Sequence, residues 1–268
     1  MRVMLLQPLY LPWIGMFDMM SQCDLFIFYD DAQYSKQSWQ SRNRIKTPNG
    51  MKWLSISIDR DYKLCTAVSK IRVNHQTGWV ERNLAQIKEA YRKAPYFSDY
   101  FPTLSDFLLK TRSEWLTRYT AGSVKLIADI LGIKTKCEYS SSFNITKSHG
   151  AQKVVDICLA VGADEYLDGA SGRELYAPDF FSSQGIKIYF HDYEHPVYRQ
   201  LHGEFISHLS VVDLLFNEGP DSLQILQSGG RNEFKGQFSG QQSGKVVKGN
   251  IRKGYYTKCS ASNQGPLL

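Results

Sequence analysis

A chain of 268 residues with 43% hydrophobic and 22% charged residues has the make-up of a soluble globular protein, long enough for one substantial core and a second lobe. The formal net charge of +6 is local: residues 229–268 carry seven basic residues against Glu233 alone, which leaves the rest of the chain neutral. The body therefore has no net electrostatic pull toward nucleic acid or anionic lipid.

In chain order, Arg2 to Leu6 is a short apolar run that stops at Gln7-Pro8, where proline removes a ladder donor and biases its predecessor toward extended backbone. Leu25-Phe26-Ile27-Phe28-Tyr29 is a second run, closed by Asp30-Asp31. Near-continuous apolar runs predict strands buried on both faces of a parallel sheet, and the segment between them is long enough for a crossover. That reading sets Gln7 beside Asp30 and Asp31 at the carboxyl edge of the sheet, opening together onto one cavity, where open α/β folds bind ligands. The first run cannot be a membrane span, because Gln7, Pro8, Pro12 and Asp18 interrupt it; no small-residue cleavage site follows, so no secretory signal is expected.

Ala32 to Arg44 is polar and aromatic without a clean period and reads as a loop or short helix. Met51 to Ile58 alternates as a strand after the turn Pro48-Asn49-Gly50, and Lys70 to Val73 reads as another strand. The period then changes. Val80, Leu84, Ile87 and Tyr91 fall on one helical face, and two more helices are predicted over Pro102 to Lys110 and Glu114 to Leu131, the last stopped by Gly132. Residues 77–131 are thus expected to form an inserted helical lobe. Strands at Ile133 to Tyr139, Glu165 to Leu167 and Ile186 to Phe190 alternate with helices from Ser148 to Val161 and from Ser210 through Phe216. The expected fold class is α/β, a mostly parallel sheet flanked by helices, over 1–228. The Gly-, Ser- and Lys-rich stretch 229–268 is expected to be a disordered tail.

The five cysteines are widely spaced and form no C-x-x-C pair, so neither a disulfide framework nor a zinc site is expected, and a reducing cytoplasm fits best. Candidate chemistry gathers after the first two strands. Gln7 can orient a substrate, while Tyr10 and Trp13 offer aromatic faces to a sugar or base, or simply build a rigid turn. An acidic pair closing an apolar strand is costly unless matched, which makes Asp30 or Asp31 the first choice of general base. Lys36, Arg42, Asn43 and Arg44, with Gln33 and Tyr34, form a basic cluster suited to a diphosphate. Gly169, in Asp168-Gly169-Ala170-Ser171-Gly172-Arg173, can cradle phosphate through backbone N–H groups. His191-Asp192-Tyr193-Glu194-His195 supplies His195 as a second base; Pro196 argues against the helix that a two-histidine metal site would need, and no metal is expected. No P-loop, Rossmann glycine fingerprint or nucleophile elbow is present.

These residues also carry a resemblance. Gln7-Pro8-Leu9-Tyr10-Leu11-Pro12-Trp13-Ile14-Gly15-Met16-Phe17, Asp30-Asp31-Ala32-Gln33-Tyr34-Ser35-Lys36 and Arg42-Asn43-Arg44 resemble the signature of the WbqC-like family. Tyr166-Leu167-Asp168-Gly169, His195-Pro196-Val197-Tyr198-Arg199-Gln200 and Leu209 to Asn217 agree with it. The resemblance implies bacterial surface-polysaccharide (O-antigen) biosynthesis and a glycine transferase role, in which an aminoacyl group moves to a nucleotide-linked amino sugar. It adds Tyr198, Gln200 and Asp213 to the matching polar positions. No cofactor is expected beyond an activated acyl or aminoacyl donor as co-substrate. The expected partners are the nucleotide sugar and an acyl or aminoacyl carrier protein or tRNA, without membrane insertion. Two rival readings are a nucleotidyltransferase, whose His-x-Gly-His motif would fall at Trp13-Ile14-Gly15-Met16 but lacks both histidines, and a non-catalytic sugar- or nucleic-acid-binding scaffold.

Overall fold

The computed structural model describes residues 1–230. The expected tail therefore lies outside the described residues, apart from Gly229 and Gly230. The chain opens with β1 (Arg2–Leu6), α1 (Ile14–Ser21) and β2 (Leu25–Phe28), then forms a hairpin of β3 (Arg42–Thr47) and β4 (Gly50–Ser55). The helical lobe follows as α2 (Trp79–Tyr91), α3 (Phe97–Lys110) and α4 (Leu116–Leu131). After it come β5 (Lys136–Tyr139), α5 (Gly150–Ala160), β6 (Glu165–Gly169), α6 (Pro178–Ser183), β7 (Lys187–His191), α7 (Val211–Glu218) and α8 (Ser222–Ser228).

Five strands form one parallel sheet in the order β5-β2-β1-β6-β7. The chain builds outward from β1 through β2 to β5, then returns to the other side of β1 for β6 and β7. The direction of winding therefore reverses between β1 and β6, and such a switch point is where open α/β sheets bind ligands, at the carboxyl ends of the strands. The buried runs make this possible. Val3 and Leu5 on β1 and Leu25 and Ile27 on β2 share one face with Val154, Val155, Ile157 and Cys158 of α5 and Phe181 of α6. Met4, Phe26 and Phe28 alternate to the opposite face and are buried as well. Burial of each such side chain stabilises the fold by roughly 1.5–3 kcal/mol.

The lobe is more than a cover. Asn83 of α2 donates to the Ser55 carbonyl (3.2 Å) and accepts from the Ser55 amide (3.3 Å), while the Tyr91 hydroxyl accepts from the Lys46 amide (3.0 Å). Both contacts fasten the β3–β4 hairpin to α2.

Four expectations are corrected. Arg42, Asn43 and Arg44 lie on strand β3 rather than in a loop, with Arg42 opposite Ser55 and Arg44 opposite Trp53. Lys70 to Val73 is no sheet strand: it follows a 3-10 turn at Val68–Lys70 and makes only the isolated bridges of Arg72 with Trp115 and Val73 with Ile58. The helix expected from Ser148 starts at Gly150, without a side-chain cap. The helix expected from Ser210 through Phe216 is not the last one: it ends at its C-cap Gly219, and α8 follows and packs on α1. Ser210 does cap α7, accepting from the Val212 amide.

Candidate functional site

The ends of the first two strands are neighbours, as the Tyr29 amide donates to the Leu6 carbonyl at 2.8 Å. Their side chains diverge. The Gln7 oxygen accepts from Gln40 Nε2 at 2.6 Å, and Gln40 in turn takes the Ser35 amide (2.8 Å) and Ser38 Oγ (3.0 Å) and donates to the Gln33 carbonyl (3.3 Å). Gln40, buried and unremarked in the sequence, thus ties Gln7 to the 33–40 loop.

Asp30 instead reaches across the end of β5, accepting from Ser140 Oγ (3.2 Å), the Ser141 amide (3.0 Å) and Ser141 Oγ (2.8 Å). Asp31 is ion-paired with Lys153 of α5 and accepts from Ser140 Oγ. The expectation that Gln7 and the two acids open together is corrected on this point: their backbones adjoin, but their functional groups engage different partners. With their oxygens held by donors, Asp30 and Asp31 lock β2 to β5 and α5.

Across β1, Asp168 presents the opposite case. It sits at the carboxyl end of β6, beside the switch point, and its hydrogen bond is from the amide of Gly169 (2.8 Å). No cation pairs with it among the described residues. Burial pushes its carboxyl up to about 6. Gly172 makes this placement possible, because a Cβ there would overlap the Asp168 carboxylate. A desolvated carboxyl without a cation, at the edge of an α/β sheet, has the features of a functional acid–base group. Gly169, expected to cradle phosphate, has its amide committed to Asp168.

The basic residues build a second feature. Lys36, Arg42 and Arg60 line a cleft of about 980 Å³ with Tyr34, Tyr62 and the serines 41, 55 and 57. Among the described residues, no carboxylate lines it. Arg42 makes no hydrogen bond or ion pair with another described residue; its guanidinium lies 4.1 Å from the Trp53 ring centroid. Tyr34 is buried and exchanges a hydrogen bond with Ser41 (2.9 Å), so it shapes the wall. Gln33 is exposed on the loop beside it. Arg44 does not line the cleft and donates to the His208 carbonyl (3.3 Å).

A third group surrounds Trp13. Its indole stacks on His208 (5.2 Å) and His195 (6.4 Å) and meets Tyr193 edge-on (5.2 Å). His195 donates Nδ1–H to the Pro196 carbonyl at 2.9 Å, which leaves Nε2 as the basic, buried and unpartnered nitrogen. Burial first, and His208 next, pull its pKa below the usual histidine range. Gly15 lets the indole lie against α1, since a Cβ there would overlap the ring. Gly15→Ala is expected to displace Trp13 at a cost of about 1–3 kcal/mol, read as a lower urea midpoint together with a changed tryptophan near-ultraviolet signal.

Four residues expected to contact a ligand have their polar groups turned inward. Tyr10 is fully buried, edge-on to Trp79 and hydrogen-bonded by Asn83 (3.2 Å). Asn43 spends its amide on the carbonyls of Tyr10 (3.2 Å) and Leu11 (2.7 Å). Tyr198 and Gln200 both donate to Asp213, at 2.9 and 2.8 Å. Among the described residues, no group of three or more His, Cys, Asp or Glu is arranged to hold a metal ion, and no helix is long and apolar enough to cross a membrane.

Fold and site together define a doubly wound α/β protein with a basic cleft and a desolvated acid at its switch point. The chain belongs to the WbqC-like protein family, whose profile matches residues 7–225. It is 28% identical over 227 residues, 84% of this chain and 97% of the relative, to the uncharacterized protein Rv1507c of Mycobacterium tuberculosis. No solved structure matches it.

Proposed function

We propose that the protein is an acyl or aminoacyl transferase, with glycine as one candidate group, acting on a nucleotide-linked amino sugar in bacterial surface-polysaccharide biosynthesis. The observation that carries this reading is the cleft lined, among the described residues, by Lys36, Arg42 and Arg60 and by no acid, in which the Arg42 guanidinium has no hydrogen-bond or ion-pair partner. Such a site suits a diphosphate, which guanidinium groups grip in bidentate fashion. The acceptor sugar then extends to the carboxyl edge of the sheet. There its amine attacks the carbonyl of an activated donor, a carrier-protein thioester, an aminoacyl-tRNA or an aminoacyl adenylate. A C–N bond forms, the donor's thiol, ribose hydroxyl or phosphate leaves, and the amine surrenders a proton. A carboxylate near neutral pKa is the right acceptor for that proton, which favours Asp168 over Asp30 and Asp31, whose oxygens are already engaged.

Arg42→Ala is expected to weaken binding of uridine diphosphate (UDP) at least tenfold, the scale of one lost charge-assisted contact of about 1.5–3 kcal/mol, in a calorimetric titration of the full chain. Unchanged affinity in this variant, with the fold intact by circular dichroism, rules the cleft out as the diphosphate site. Asp30→Asn is expected to lower stability through the β2–β5 lock and to leave nucleotide affinity within about twofold.

A further inference from the structure

The outer face of the hairpin carries two tryptophans that the proposed reaction does not use. Trp39 and Trp53 are 40% and 41% exposed, and their rings lie 5.4 Å apart. Two arginines thread them: Arg42 lies over Trp53 at 4.1 Å, and Arg44 lies 5.1 Å from Trp39 and 5.7 Å from Trp53. Large aromatic surface left in water beside guanidinium groups, with no acid among them, is how proteins present stacking surfaces to nucleobases.

Strand geometry connects this surface to the cleft. Side chains two apart on a strand share a face. Trp53 and Ser55 therefore point the same way on β4, and Arg42 faces Ser55 across the hairpin. Ser55 and Arg42 both line the cleft. Trp53 thus lies one strand repeat, roughly 7 Å, beyond the cleft wall. Arg42 belongs to both features, resting on the indole at one side and lining the anion cleft at the other.

We infer that Trp53, backed by Trp39, is the platform on which the nucleobase of the cleft's ligand stacks, with Arg42 setting the span from base to diphosphate. The inference rests on the reading of the cleft as a nucleotide diphosphate site and adds that the protein recognises a nucleoside, not an anion alone. Stacking accepts every base, so the platform supplies affinity, and base identity is read elsewhere if at all.

The test is calorimetric titration of the full chain with inorganic pyrophosphate and, separately, with UDP, ADP and GDP. Wild type, Trp53→Ala, Trp53→Phe and Trp39→Ala are compared. The expected result is that Trp53→Ala weakens the tightest-binding nucleotide about tenfold or more, while pyrophosphate affinity stays within about twofold. Trp53→Phe should restore most of the loss, and quenching of tryptophan fluorescence by nucleotide should fall in Trp53→Ala. If wild type binds pyrophosphate and the nucleotides equally well, and Trp53→Ala leaves both unchanged, the platform is overturned while the cleft reading stands. An equal loss of pyrophosphate and nucleotide in Trp53→Ala also overturns it, because the ring would then merely support Arg42. If wild type binds neither, both readings fall.

Discussion

Asp213→Ala is expected to cost about 3–5 kcal/mol of stability, as the loss of a buried charged partner does. The carboxylate is fully buried at the first turn of α7. It accepts from Tyr91 (2.8 Å), Tyr198 (2.9 Å) and Gln200 (2.8 Å), and so binds α2 and the 198–200 segment to α7. The Tyr91 hydroxyl also takes the Lys46 amide, which extends the tie to β3. Alanine leaves the Tyr91 and Tyr198 hydroxyls buried without an acceptor, while the Gln200 amide keeps the Ile206 carbonyl (3.0 Å), and each unsatisfied hydroxyl carries its desolvation cost. Asp213→Asn should lose less, because its oxygen still accepts while its NH2 meets existing donors. Urea unfolding of the three proteins, at constant m value, measures the order. A loss below about 1 kcal/mol in Asp213→Ala would show that the network is solvated rather than dry.

Asp168→Asn is expected to move activity and stability in opposite directions. In a transfer assay it should lose about 10²–10⁴-fold in rate, the contribution of a positioned general base. Stability should rise. The Asp168 carboxyl stands at about 6 in the folded protein against 3.8 for a free one. Below the lower value both states are protonated and the site costs nothing. As pH rises between the two values, the unfolded chain ionises while the folded chain resists, so a penalty builds. Above the upper value it is constant, at up to about 3 kcal/mol. The asparagine variant lacks this penalty, so it should unfold later than wild type at pH 8, with the difference vanishing near pH 4. The amide keeps an oxygen for the Gly169 N–H. Equal stability at pH 8, or full transfer activity in the variant, removes Asp168 as a desolvated base.

Much of the frame was legible in the residues, because β1 and β2 are apolar on both faces and stop at Pro8 and Asp30-Asp31. The lobe showed through the spacing of Val80, Leu84, Ile87 and Tyr91, and α7 through its cap at Ser210. The hairpin was not legible at Arg42-Asn43-Arg44, since a polar and aromatic stretch without a clean period reads as a loop or short helix. Its burial comes from partners distant in sequence, with Arg42 and Arg44 on tryptophan rings and Asn43 on the Tyr10 and Leu11 carbonyls. Motif matching also could not tell a polar group offered to a ligand from one spent inside the fold. Tyr10, Tyr198 and Gln200 are of the second kind. Asp168 gave no signal of its own in the sequence, because Asp-Gly after a strand is an ordinary turn, and its desolvation and lack of an ion pair among the described residues arise only in the fold.

The proposed reaction and the nucleobase platform both depend on the basic cleft being a site for a nucleotide-linked sugar. Native mass spectrometry of the full chain with a panel of nucleotide-linked amino sugars tests this most directly, alongside the Arg42→Ala/Arg60→Ala double variant. Wild type is expected to retain one nucleotide sugar per chain and the double variant, equally folded, to retain none. Retention of the same ligand by both proteins, or of none by wild type across the panel, would contradict that role for the cleft.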